Sequence, residues 1–173
     1  MYYTGVGSKE VPVVYHDLMI QLAQVLSQNN YILRSGGEDG SDTLFEQGCD
    51  LVNGKKEIFI PWRGFNGRKS IKIVSAHKAF VIAKKYYPSW TSLNPNTRKM
   101  MARISHQVLG NDLKSPSSFV LCYIPNSEIE SEIGQAIRIA KDLKIPIFNI
   151  SRYLDLTKCI DDFIVFLNSV CVG

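Results

Sequence analysis

Residues 31–42 read YILRSGGEDGSD, and no other stretch limits the possible fold as strongly. Tyr31, Ile32 and Leu33 form an apolar, β-favouring lead-in to Arg34 and Ser35. Gly36 and Gly37 then break the strand, Gly40 follows two acids, and an amphipathic segment begins at once. A strand that ends in glycines and passes into a helix leaves backbone N–H groups pointing outward at a helix N-terminus, where the macrodipole favours negative charge. The N-terminus repeats this design, with residues 2–4 leading into Gly5, Val6, Gly7 and Ser8. Two such crossings side by side in a parallel sheet make one phosphate-sized crevice.

The remaining pattern supports that frame. Pro12 opens a helical segment in which Leu18, Leu22 and Val25 recur at helical spacing, and Asn29 and Asn30 stop it. Ser41 or Asp42 can cap the next helix, which carries Leu44, Phe45, Cys49 and Val52 and ends near residues 53–54. Residues 56–60, KEIFI, are a third strand. A β-α-β-α-β order within sixty residues predicts an α/β fold, a Rossmann-like, doubly wound, mainly parallel sheet.

From 62 to 112 the regularity loosens into a helical insertion, with a helix over 71–86, a break over 88–95 and a helix over 96–109. Residues 118–124, SFVLCYI, then read as a strand buried on both faces. A polar loop, a helix over 133–143, a fifth strand over 145–150 and a closing helix over 156–167 complete one domain, 1–173.

Composition excludes more than it assigns. A chain of 173 residues with 45% hydrophobic content can bury a real core. The net charge of +4 permits an anionic ligand without requiring nucleic acid. The four cysteines lie far apart with no metal-ligand spacing, so no metal is assigned, and Cys49 and Cys122 read as small buried hydrophobes. No signal peptide and no run of membrane length is visible, which points to a cytoplasmic protein with no membrane partner.

Three features in order, GVGS after the first strand, RSGGEDGSD after the second, and an apolar strand followed by GQAIRIAKDLKIPIFNI, resemble the SLOG superfamily of Rossmann-like proteins. That superfamily includes DNA-processing protein A, the lonely-guy phosphoribohydrolases and molybdenum-cofactor-carrier-like proteins, and the chain looks closest to small stand-alone bacteriophage members. The resemblance implies a nucleotide or nucleotide-sugar at the carboxyl ends of the strands. Gly5, Gly7 and Ser8 would form one wall, with Ser8 a hydrogen-bond donor to phosphate. Gly36, Gly37 and Gly40 would form the phosphate cradle, with Ser35 at its base and Asp42 capping its helix or meeting a ribose hydroxyl. Arg34 would pair with phosphate, or with Glu38 or Asp39. Glu38 and Asp39 read foremost as solvated. Trp62, Arg63, Phe65 and Arg68 combine stacking surface with charge, as a nucleobase and phosphates require, or anchor a long loop. Arg98, Lys99 and Arg103 are expected to face solvent, and His106 can touch ligand.

The third loop departs from the family pattern. It reads Glu130-Ser131-Glu132-Ile133-Gly134-Gln135, so Gly134 and Gln135 fall where relatives carry a glycine turn and a catalytic glutamate. Glutamine cannot act as a carboxylate base or nucleophile. The expected function is therefore binding and sequestration of a nucleotide-derived signal, cyclic or ADP-ribose type, without turnover, as a phage counter-defence sponge. No catalytic residue and no cofactor are assigned. N-glycoside hydrolysis through Glu132 or Glu38 and single-stranded DNA binding are the alternatives. A small-molecule ligand and a homo-oligomer are the expected partners, and nucleic acid is not expected as one.

Overall fold

The computed structural model describes residues 1–74, 76–125 and 133–171. Six strands form one sheet: β1 (Tyr2–Gly7), β2 (Ile32–Ser35), β3 (Lys56–Ile60), β4 (Lys72–Ile73), β5 (Phe119–Tyr123) and β6 (Ile147–Asn149). Their order is β4-β3-β2-β1-β5-β6, and each neighbouring pair is parallel. The chain winds outward from β1 to β4 and then returns to the other side of β1. The order therefore reverses between β1 and β5, where a doubly wound sheet opens a crevice at the carboxyl ends of its strands.

The helices are α1 (His16–Gln28), α2 (Ser41–Leu51), α3 (His77–Tyr86), α4 (Pro95–Leu109), α5 (Gln135–Asp142) and α6 (Leu156–Cys171). Leu18, Met19 and Leu26 of α1, Phe45 of α2 and Phe163 of α6 pack with Tyr3, Leu33 and Phe119 in the core of one face. The opposite core joins Ala79 and Ala83 of α3, Ile104 and Val108 of α4 and Ile139 of α5 to Val6, Val120 and Cys122. Alternate residues of β1 and β5 thus enter opposite cores. That is why FVLCY has no polar face, with all five residues buried.

Several boundaries follow the sequence closely. The third strand is Lys56–Ile60 as its pattern predicts, and Asn30 ends the first crossover with a positive φ of 63°. Others differ. Helix α2 is capped by neither Ser41 nor Asp42. Gly40 holds the N-cap position at φ 76°, and Ser41 N–H and Oγ–H both donate to the Ser8 carbonyl. The helix expected over 71–86 begins only at His77, because Lys72 and Ile73 pair with Phe59 and Ile60 as an edge strand. Residues 71–74 read Ile-Lys-Ile-Val, which is equally good β material. Helix α4 starts at Pro95 rather than 96, with the Asn94 side chain accepting from Thr97 N–H. Among the described residues no helix is long and apolar enough to cross a membrane.

Candidate functional site at the carboxyl edge of the sheet

The two glycine turns meet at the carboxyl ends of β1 and β2. Gly5 sits within β1, where an added Cβ would stand 2.7 Å from a Leu33 methyl. A Cβ at Gly7 would collide with the Tyr123 carbonyl. Ser8 is buried, its N–H donating to the Tyr123 carbonyl and its carbonyl meeting the start of α2. A Cβ at Gly40 would run into the Lys9 and Ser8 carbonyls. The first turn therefore packs against the N-terminus of α2, where the Ser8 carbonyl takes the Ser41 N–H.

The turn after β2 carries its own anion. The Gly36 N–H donates to Asp42 Oδ2 at 2.9 Å, and the Glu38 N–H reaches the same oxygen at 3.4 Å. Asp42 is buried, and Gln107 Nε2 approaches the same oxygen at 3.5 Å. Outward-pointing amides of a glycine turn are an anion concavity. Here the concavity is satisfied by a carboxylate six residues on. Burial pushes the Asp42 carboxyl up to about 7, with the charges of Glu38 and Glu46 adding to the rise and Arg103 opposing it.

A ring of ion pairs fixes this turn. Arg103 is 1% exposed; its Nη1 donates to the Gly36 carbonyl at 3.0 Å, and its Nη2 pairs with Glu38 at 2.7 Å. Glu38 also holds Lys9 at 2.9 Å. Burial works to raise the Glu38 carboxyl, but Arg103 and Lys9 outweigh it and hold the group below its usual range. On the other side Ser35 Oγ–H donates to Glu46 at 2.6 Å, and Arg68 pairs with Glu46 at 2.9 Å. Burial raises Glu46 against those two partners.

Three expectations change here. Arg103 does not face solvent: it is the largest fully buried side chain of the protein's described residues. Glu38 is not a solvated acid, because two cations hold it. Arg34 pairs with neither Glu38 nor Asp39. It bonds Glu57 at 2.9 Å, donates to the Ser115 carbonyl and lies over the Tyr2 ring at 3.9 Å.

The 62–70 loop folds across the glycine turn. Asn66 Nδ2 donates to the Gly37 carbonyl at 3.2 Å, and a Cβ at Gly37 would stand 3.1 Å from Arg68 Cγ. Positive φ at Gly64, Asn66 and Gly67 gives the loop its tight path. Phe65 is buried, with the Trp62 ring edge-on to it at a centroid distance of 5.2 Å and 90°. Beneath Phe65, the Arg103 guanidinium lies 5.8 Å from the ring centroid. Phe65 thus anchors the loop, while Trp62 is half-buried and Arg63 is exposed.

Two grooves flank this loop. One, of about 420 Å³, is lined by Arg63, Arg68, Lys69, Ser70 and Ile71. The other, of about 550 Å³, lies between Lys9, Trp62, Phe65 and the start of α4. At the switch point itself Gly7, Glu38, Arg103 and Ile133 border only about 30 Å³, roughly what one water occupies.

The third loop is described only from Ile133 onward, and Glu130, Ser131 and Glu132 lie outside the described residues. Gly134 caps α5, and Gln135 is fully buried, its Nε2 donating to the Ala83 carbonyl. His106 is buried against Phe59 and bonds the Gly110 carbonyl, with burial lowering its basicity. Among the described residues no group of three His, Cys, Asp or Glu side chains is placed to hold a metal.

Sequence reasoning passed over Gln107 and undervalued Arg103. Their spacing of four places both on one side of α4, beside the buried Ile104 and Val108. A polar stripe next to an apolar one was the available signal.

An all-parallel sheet with helices on both faces and glycine turns at its carboxyl edge defines a Rossmann-like α/β protein. No protein-family model matches the chain, and no curated protein does. Among solved structures it is similar to DNA processing protein A from Helicobacter pylori, whose structure was described for its single-stranded DNA binding mode. The TM-score is 0.58 at 14% identity, covering 90% of this chain and 67% of that one. At this identity the likeness speaks for the fold. It also overturns the expectation that excluded nucleic acid. A protein of this architecture binds a single strand, so a modest net charge is no argument against it when cations gather on one loop.

Proposed function

We propose that this chain binds single-stranded nucleic acid along the outer surface of the 62–70 loop, on a Rossmann-like frame of the SLOG kind. One observation carries the reading. The loop is fixed to the glycine turn by Asn66 and to α2 by Arg68, and it presents Arg63 and Lys69 at one groove with no acidic partner among the described residues. Cations held in place at a groove neutralise successive phosphates and release their counterions, which is the main source of affinity for a strand. The DNA-binding solved neighbour supports the same direction.

Sequestration of a free nucleotide signal draws no such support. The amides that would grip its phosphate already hold Asp42, and the pocket at the switch point is small.

The test is anisotropy of a labelled thirty-residue oligothymidylate at several salt concentrations, with duplex as competitor. Tight binding that weakens steeply with salt, prefers the single strand and is lost in the Arg63→Glu, Lys69→Glu double variant is expected. Absence of binding at low salt, or binding untouched by the double variant, would sink the proposal.

A further inference from the structure

The second groove, lined by neither Arg63 nor Lys69, has a different chemistry. Its floor is aromatic: Trp62 stands half-buried, fixed edge-on by Phe65, which the Arg103 guanidinium supports from below. Met100 adds a polarizable thioether. The rim is polar. Asn94 uses its side-chain oxygen to cap α4, which leaves its amide donors to the groove, and Asn96 is exposed beside it. Lys9 also lines the groove, its side chain 61% exposed and its ammonium 2.9 Å from one carboxylate oxygen of Glu38.

From this arrangement we infer that the groove is a nucleobase pocket, in which Trp62 stacks on one base of the bound strand and the Asn94 and Asn96 amides meet that base's edge. The volume of about 550 Å³ falls within the range of small-molecule sites, which runs from about 300 to 1,000 Å³. An apolar chain would leave the two amides without partners, whereas the ammonium keeps Glu38. A flat heteroaromatic ring offers a π-face to the indole and acceptors to the amides, and its phosphates reach Lys9 on one side and Arg63 on the other. Stacking on one ring tolerates any base, so the pocket gives affinity with little sequence preference.

The inference rests on the single-strand reading above, and the experiment separates the two. Of the two tryptophans, Trp90 is replaced by Phe so that emission reports on Trp62 alone. Oligothymidylate of twenty residues is compared with an abasic oligomer of the same length and charge. Thymidylate should quench Trp62 and the abasic strand should not. Trp62→Ala should weaken thymidylate binding about tenfold or more with its salt dependence unchanged. Trp62→Phe should recover most of the loss, and the abasic strand should bind wild-type protein no better than thymidylate binds Trp62→Ala. Circular dichroism confirms that each variant is folded. If Trp62→Ala binds thymidylate as wild type does while the Arg63→Glu, Lys69→Glu variant fails, the pocket assignment falls and the single-strand reading stands. If wild-type protein binds neither oligomer, both fall.

Discussion

The guanidinium of Arg103 occupies the space that a side chain at residue 36 would need. A Cβ on Gly36 would stand 2.7 Å from Arg103 Cζ and Nη1. Arg103 cannot withdraw without giving up both the Gly36 carbonyl and Glu38, so residue 36 has no room for a side chain.

Gly36→Ala should therefore destabilise the protein by about 2–3 kcal/mol in urea unfolding, the scale of overpacking at a filled site. Arg103→Ala should also cost stability, because it leaves the Gly36 carbonyl and the part-buried Glu38 short of a partner. The double variant should cost less than the two single losses added, by more than about 0.5 kcal/mol, since each removes the other's clash or contact. Simple additivity would mean that the two residues do not share this space in solution.

Asp42 sets a pH dependence of definite sign. Its native carboxyl titrates near 7, above the usual aspartate value of 3.8, so between those values the folded state holds more protons than the unfolded one. Its contribution to stability is full below about 4 and is lost as pH rises through about 7. Asp42→Asn keeps an acceptor for the Gly36 N–H and offers a donor to Gln107 Oε1, which has no partner among the described residues. Relative to wild type, this variant should gain on the order of 2 kcal/mol between pH 5 and pH 8. A difference that does not vary with pH would show Asp42 to be ionised throughout.

The salt dependence of strand binding should count the cations involved. Replacing Arg63 and Lys69 together by alanine should lower the slope of log affinity against log salt by about 1.4, at about 0.7 per phosphate on a single strand. An unchanged slope with weaker binding would place the phosphates elsewhere.

Tyr3 is fully buried in the centre of the sheet, stacked on Phe119, and its hydroxyl has no hydrogen-bond partner among the described residues. Removing a buried hydroxyl that bonds to nothing removes only its desolvation cost. Tyr3→Phe should be neutral or stabilising by up to about 1 kcal/mol, read by thermal or urea unfolding, and a clear loss would reveal a partner for the hydroxyl.

How much was legible in the chain varied with the range of the interactions involved. The strand–glycine–helix rhythm is local, so residues 31–42 and KEIFI announced their elements and the parallel sheet followed. Strand β4 was hidden because two residues carry no periodicity of their own, and only the neighbouring Phe59–Ile60 makes Lys72–Ile73 a strand. The glycines of the site were legible as glycines but not for their use. Asp42 looked like a helix cap from its position, whereas its target is the turn before it. Arg103 looked like one more helix cation, because its partners Gly36 and Glu38 lie 67 and 65 residues away. No local pattern encodes that meeting.

The two outermost strands have a consequence for how this molecule behaves in company. Strand β4 has two residues, and one of them is Lys72, held by Glu57 at 3.0 Å. Strand β6 has three, entered directly from Pro146, which has no N–H to offer. A borrowed strand from a neighbour would find a two-residue, charged ladder at one margin and a short, proline-led one at the other. Both edges of the sheet thereby resist edge-to-edge pairing, the route to fibres, although all six of its strands run the same way. The helices and the loop-bearing end, where the 62–70 segment stands, are the faces this leaves open to a partner.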